Sequence, residues 1–351
     1  MKRNLQRFLL ATCLGAAACP AADTPRAALL VLNKGDNSLA IVDPGAGKVV
    51  ATLPSGPDPH EVVAFKGLAF ISNYGGNNTL SVVDLVAQKA LSPVNLGALR
   101  SPHGLWVAQG KVYFTAEANK IIGSYDPASQ QIDWLLGLGQ ERTHMIVVSP
   151  DAKKIYTANV NSDTISLIER GSGPGGPGRF PGPGGPPGFG GPGPPPGPFG
   201  GGGWNATHVV VGKGPEGFDV SPDGKEVWAA NSHDGTVSII DVSRKSVVQT
   251  LNVGTRMSNR LKFTPDGKFV FISDLGGQDL VVVDVGARKE LKRIALRGGA
   301  AGILMQPDGS KAYVAVGTQN GVTVIDLKTI EAAGHIETGP GPDGLSWANL
   351  D

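Results

Sequence analysis

The chain has 351 residues, of which 40% are hydrophobic, 17% charged and 6% aromatic. That is enough apolar material for one large domain or two ordinary ones, and it excludes a disulfide mini-protein or a wholly disordered chain. The 31 basic and 30 acidic residues nearly cancel, and three of the basic ones (Lys2, Arg3, Arg7) lie near the start, so no electrostatic footprint for duplex nucleic acid remains.

Those three cations precede an apolar run from Phe8 to Ala18, with small residues after it. A basic start, a short apolar stretch and small residues describe a secretory signal peptide over residues 1–22. The run is too short to stay in a bilayer as an anchor, and no other run approaches transmembrane length. The mature protein is therefore expected in the periplasm or outside the cell, as a monomer. Both cysteines, Cys13 and Cys19, fall in this leader, which leaves the body without disulfides, Cys-ligated metal or a Cys nucleophile. Ala16-Ala17-Ala18-Cys19 also reads as a lipoprotein box without its usual Leu, so a lipid anchor on Cys19 is the alternative.

From residue 27 to 351 the sequence repeats at about 42 residues. Ile155–Glu169, Val227–Asp241, Phe269–Asp284 and Ala312–Asp326 are versions of one unit: a β-branched strand, a polar Asn/Gly turn, and a second strand closed by an acid. Ahead of them stand Ser149-Pro150-Asp151-Ala152, Ser221-Pro222-Asp223-Gly224, Thr264-Pro265-Asp266-Gly267 and Gln306-Pro307-Asp308-Gly309, which have the composition of tight hairpin turns. Two earlier units, Ala69–Asp84 and Val112–Asp126, use the shorter Lys66-Gly67 and Gln109-Gly110. Four strands per unit at this period predict a β-propeller. Six units run from Pro59 to about Gly339. Residues 28–53 supply three strands without an inner one, and Pro342–Ala348 supplies an inner strand without partners. Paired, they make a blade that closes an all-β, seven-bladed ring of four-stranded blades and removes its sheet edges.

Tyr156-Thr157-Ala158-Asn159 and Val227-Trp228-Ala229-Ala230-Asn231, with the Thr-x-Ser strands that follow, resemble the YVTN-repeat β-propellers of exported bacterial and archaeal proteins. The likeness covers nearly all of the mature chain and implies the fold, but members differ too widely for it to imply one function. No Trp-Asp dipeptide occurs, against WD40 repeats.

One repeat step is longer by about thirty residues. The excess is Gly171–Gly203, with 17 Gly and 11 Pro in 33 residues and with Phe180, Phe189 and Phe199 interspersed. Such a segment cannot bury enough surface to fold, and is expected to be a disordered loop after the third strand of blade three. It reads as a tolerated surface insertion, or as a tether whose Phe residues dock on a partner.

Standard catalytic signatures are absent: there is no Gly-x-Ser-x-Gly elbow, and His60-Glu61-Val62-Val63-Ala64 breaks the zinc-protease pattern at its second His. Any site must be assembled from equivalent positions of different blades. The acids that close the third strands (Asp43, Asp84, Asp126, Glu169, Asp241, Asp284, Asp326) recur in every unit, which is the mark of turn formers. Asn33, Asn73, Asn159 and Asn231 are turn formers too; Asp274 varies them conservatively, whereas Glu117 is a poor substitute and stands out.

The residues opening the inner strands do not repeat one chemistry. They are His60, His103, His144, Glu216, Asn259, Ala301 and Asp343, and three of the six histidines in the chain fall on these seven places. In a propeller they line one funnel, with Arg142, Arg256 and Arg260 nearby as contacts for an anionic ligand alongside Asn259 and Asp343. The three His form a competent first shell for a transition metal, Zn or Cu, with an open position. They also suit plain channel lining or a metal-free pocket. Three functions follow. One is a binding module that takes a small-molecule, metal or protein ligand at the funnel. Another is a metal-dependent hydrolase, lactonase or lyase with Glu117 or Glu216 as general base. The third is a copper-carrying redox accessory protein. Single-stranded nucleic-acid binding is opposed by the charge of the body.

Overall fold

The computed structural model describes residues 23–171 and 203–350; the leader (1–22) and nearly all of the Gly/Pro-rich insert lie outside them. Seven antiparallel four-stranded sheets form the blades of a propeller. Blade one runs from Pro59 to Asn95, and blade six ends at Glu337. Blade seven joins the C-terminal strand, Pro342–Asn349, to Ala27–Asn33, Ser38–Asp43 and Lys48–Pro54. Leu29 lies opposite Trp347 and Leu30 opposite Ser346, so the two ends of the chain close the ring.

Blades stack face to face because their middle strands are apolar on both sides. Successive side chains of a strand point to opposite faces, and the core divides accordingly into seven clusters, one per blade interface. Leu30, Leu32 and Ile41 pack on Val62 and Ile71 of blade one. Their neighbours Leu29, Val31 and Ala40 pack on Tyr313 and Ala315 of blade six. Trp228, fully buried, packs with Phe263 across the interface of blades four and five.

The repeat motifs have local causes. In the Pro-Asp turns the fourth residue donates its N–H to the first, as from Gly224 to Ser221 O (2.7 Å) and Gly267 to Thr264 O (2.8 Å). That fourth residue is left-handed, with φ near 70° at Gly224 and Gly267, which explains the Gly; Ala152 adopts it at φ 52°. The strand-closing acids cap the next turn: Asp43 Oδ1 accepts from Gly45 and Ala46, and Asp326 Oδ1 from Lys328 and Thr329. Glu169, at the insert, instead pairs with Lys245 of the next blade at 2.7 Å. Asn159 Nδ2 donates to Thr164 Oγ1 (3.0 Å) and Ser166 Oγ (2.8 Å), and Asn231 does the same with Thr236 and Ser238. The Asn and the Thr-x-Ser after it are therefore one buried polar network.

The insert springs from a hairpin of blade three, where Arg170 lies opposite Trp204 and Gly171 N–H donates to Gly203 O at 2.8 Å. Among the described residues no helix is long and apolar enough to cross a membrane.

Candidate functional site

Each inner strand begins at the funnel, and its second residue is a member of the set His60, His103, His144, Glu216, Asn259, Ala301 and Asp343. All seven line one cavity of about 410 Å³, with Arg142 and Arg260. Close approach of the strands sets its width. Gly104, beside His103, lies so near blade three that a Cβ there would meet His144 O at 2.6 Å. Thr115 bridges the same gap, accepting from Gly104 N–H (2.9 Å) and donating to His144 O (2.8 Å). The imidazoles of His103 and His144 consequently meet with centroids 3.6 Å apart and planes tilted by 31°.

Glu117 completes this group. Its Oε1 is hydrogen-bonded to His144 Nδ1, and its Oε2 accepts from Tyr74 Oη at 2.6 Å. One donor atom from each of His103, Glu117 and His144 lies within 4.8 Å of the others, and all three residues are buried. On the far side of His144, Nε2 lies 3.0 Å from Glu216 Oε1. That contact is an ion pair when His144 is protonated, whereas His103 Nδ1 is buried without a hydrogen-bond partner. Arg142 spans the two acids, 3.8 Å from Glu117 and 3.4 Å from Glu216. Its backbone is left-handed (φ 53°) at the register held by Asp58, Ser101, Gly214 and Gly341 in other blades.

The electrostatics follow from burial and neighbours. Burial, with the charges of His144 and His60, pushes His103 well below its ordinary pKa and keeps it neutral. Burial also works against charge on His144, but hydrogen bonds to Glu117 and Glu216 outweigh it and raise its pKa. Burial tends to raise Glu216, yet its His144, Arg142 and Arg260 neighbours bring its carboxyl down to about 2. Tyr74 is pushed up to about 12 by burial and by Glu117.

His60 is placed differently from the other two. Its ring is 5.0 Å from that of His103, but Lys34 Nζ sits 2.8 Å from its Nε2, and its Nδ1 lies 3.1 Å from Asp58 O. Burial and then Lys34 lower its pKa, which suits a neutral ring accepting at Nε2. Lys34 also pairs with Asp343 at 3.3 Å. Below the funnel, buried Arg260 reaches across the channel to Glu61. Asn259 keeps a buried Oδ1 without a hydrogen bond. Arg256 does not line the funnel; it borders another cavity on the rim.

Lys34, Tyr74 and Glu61 were not legible as site residues. Lys34, Tyr74 and Glu117 share one register, the position after the second strand of their blades, because Asn33, Asn73 and Ala116 each end that strand. Glu117 is thus not a substitute for the turn Asn, whose place in blade two is taken by Ala116; it opens a single turn of 3₁₀ helix, Glu117–Asn119. Counting the turn from the strand end rather than from the Asn would have exposed Lys34 and Tyr74 beside Glu117.

No protein-family model matches the chain, and no curated protein sequence does. Solved structures do resemble it. A functionally unknown protein from Desulfotomaculum acetoxidans DSM 771 is 10% identical over 92% of this chain and 99% of its own, with a TM-score of 0.71. A putative 6-phosphogluconolactonase from Bacteroides uniformis ATCC 8492 is 15% identical over 92% and 99%, with a TM-score of 0.65. Kuenenia stuttgartiensis hydrazine synthase is 19% identical over 82% and 89%, with a TM-score of 0.64. At such identities the likeness is one of fold; with the seven closed sheets it establishes a seven-bladed β-propeller.

Proposed function

We propose that the chain is an exported binding module of the YVTN-repeat kind whose funnel holds one transition-metal ion, Zn or Cu, and through it a polar ligand. The carrying observation is the buried cluster of His103, Glu117 and His144, one ligand atom of each lying within 4.8 Å of the others, with His103 Nδ1 left without a hydrogen-bond partner. A buried polar atom left unpaired costs about 1–3 kcal/mol, and two imidazoles with a carboxylate suit a borderline metal. The donors would be His103, His144 and a carboxylate, with His60 outside the set because Lys34 occupies its Nε2. A bound ion supplies Lewis acidity toward an oxygen or nitrogen of the ligand. Glu117, bonded to His144 Nδ1, orients that ring in the manner of a carboxylate behind a ligating histidine. Proton and ion compete for His144. Lys34 and Arg142, each about a third exposed, are the cations that an anionic group on the ligand can reach.

Binding is favoured over catalysis by the state of the acids. A carboxyl held at about 2 is a weak general base, and Glu117 is engaged by Tyr74, His144 and Arg142. Export, to the periplasm or beyond, rests on the leader at 1–22, and anchoring on Cys19 is the variant of it that includes a lipid.

Elemental analysis of the full chain, purified without chelator, tests the metal. About one Zn or Cu per chain is expected, lost in His103→Ala/His144→Ala with an unchanged circular dichroism spectrum and kept in His60→Ala. A visible absorption band would mark copper. Absence of metal, even after incubation with Zn²⁺ and Cu²⁺, would overturn the proposal.

A further inference from the structure

Arg256 belongs to a second cavity, of about 600 Å³, bordered by blades five and six. Its walls are the approach to the inner strand of blade five (Gly254, Arg256), the turn from Asp274 to Asp279, and the approach to blade six from Arg297 to Gly299. It contains no aliphatic or aromatic side chain, so an apolar ligand has nothing to bury against. Two glycine pairs, Gly276-Gly277 and Gly298-Gly299, leave its walls bare of side chains.

The charges are unevenly committed. Asp274 is consumed by backbone: its Oδ2 accepts from Arg256 N–H (2.8 Å), and its Oδ1 from Met257 (2.8 Å) and Gly276 (3.1 Å). Arg293 is held by Glu290 at 2.8 Å and by Val253 O at 2.5 Å. Asp279 faces Arg293 electrostatically. That leaves Arg256 and Arg297, both exposed, whose guanidinium groups make no hydrogen bond or ion pair with any described residue. Two uncommitted forks offer more donors than one carboxylate can accept, whereas a tetrahedral dianion has both the oxygens and the charge to take them.

We propose that this cavity is a binding site, separate from the funnel, for a small polar ligand carrying a phosphate or sulfate group, held by Arg256 and Arg297. Gln278 from blade five and Thr318 from blade six, which also line the cavity, are uncharged hydrogen-bonding groups for the rest of such a ligand.

Calorimetric titration of the full chain with inorganic phosphate, inorganic sulfate and glucose tests this. Saturable binding of an anion is expected and none of glucose. Arg256→Ala and Arg297→Ala should each weaken it at least tenfold at an unchanged unfolding temperature, and Arg256→Lys by less, since charge survives without the fork. The anion that binds more tightly identifies the phosphate or the sulfate source. His103→Ala should leave the affinity unchanged, which separates this site from the funnel. No saturable binding of either anion, wild-type affinity in both alanine variants, or loss of binding in His103→Ala would each overturn the assignment.

Discussion

His144 shows how a single position acquires its chemistry. The backbone repeats in every blade, but among the described residues only here do two acids from neighbouring blades, Glu117 and Glu216, meet one ring. Glu216 carries the measurable consequence. Its carboxyl is held at about 2, against an ordinary 4.5, so its contribution to stability is complete above about pH 4.5 and is lost as pH falls toward 2. In the chelator-treated protein, the urea midpoint should drop over that window, and Glu216→Gln should flatten the drop. An acid limb identical in both proteins would mean that the pairing with His144 contributes nothing. The histidines themselves were legible in the sequence, because one strand register repeats seven times and an excess of one residue type shows against it. Lys34 and Tyr74 were not, since they lie in the turns between second and third strands, where Gly-rich, Asn-rich and 3₁₀ turns differ from blade to blade and blur the register.

At the scale of the element, the inner strands are governed by the residue after the functional one. Gly104, Gly217, Gly302 and Gly344 all occupy it, and at Gly104 a Cβ would stand 2.6 Å from His144 O and 2.9 Å from Ile146 N. Gly104→Ala must push blades two and three apart. A cost of about 1–3 kcal/mol is expected in denaturant unfolding, together with weaker retention of the proposed ion as the His103–His144 contact opens. Gly137→Ala is the control, because nothing lies within 4 Å of its Cβ. Equal midpoints for the two variants would show that the strands can relax without cost. Outside the blades, the insert arises where the strands before and after it already pair up to Arg170 and Trp204. Replacing residues 172–202 by a two-residue turn should therefore leave the melting temperature unchanged, and a drop of several degrees would show that the blade depends on the insert.

Taken whole, the molecule is a ring in which the described chain begins and ends in blade seven, and that break was legible in the sequence as an inner strand without partners and three strands without an inner one. What the repeat could not show is the geometry across the channel, such as Arg260 on Glu61, because those partners are about two hundred residues apart and follow no period. The break also explains what holds the ring shut. Leu29, Leu30 and Val31 lie opposite Trp347, Ser346 and Leu345, and Leu350 N–H donates to Arg26 O at 2.7 Å, so the clasp is made by strand pairing rather than by chain continuity. Two rearrangements separate those factors. Ending the chain at Gly341 removes the inner strand of blade seven, bares the edge of Ala27–Asn33, and takes Leu345, Trp347 and Ala348 from the cores on either side. That chain should lose its cooperative unfolding transition and aggregate. Linking Leu350 to Arg26 through a short Gly/Ser segment and opening the chain within residues 172–202 keeps every blade, and should keep the wild-type midpoint in differential scanning calorimetry. A truncated chain that melts like wild type would show that six blades and a remnant suffice. A permuted chain that fails to fold would show that the native order of the strands, and not only their pairing, is needed to close the ring.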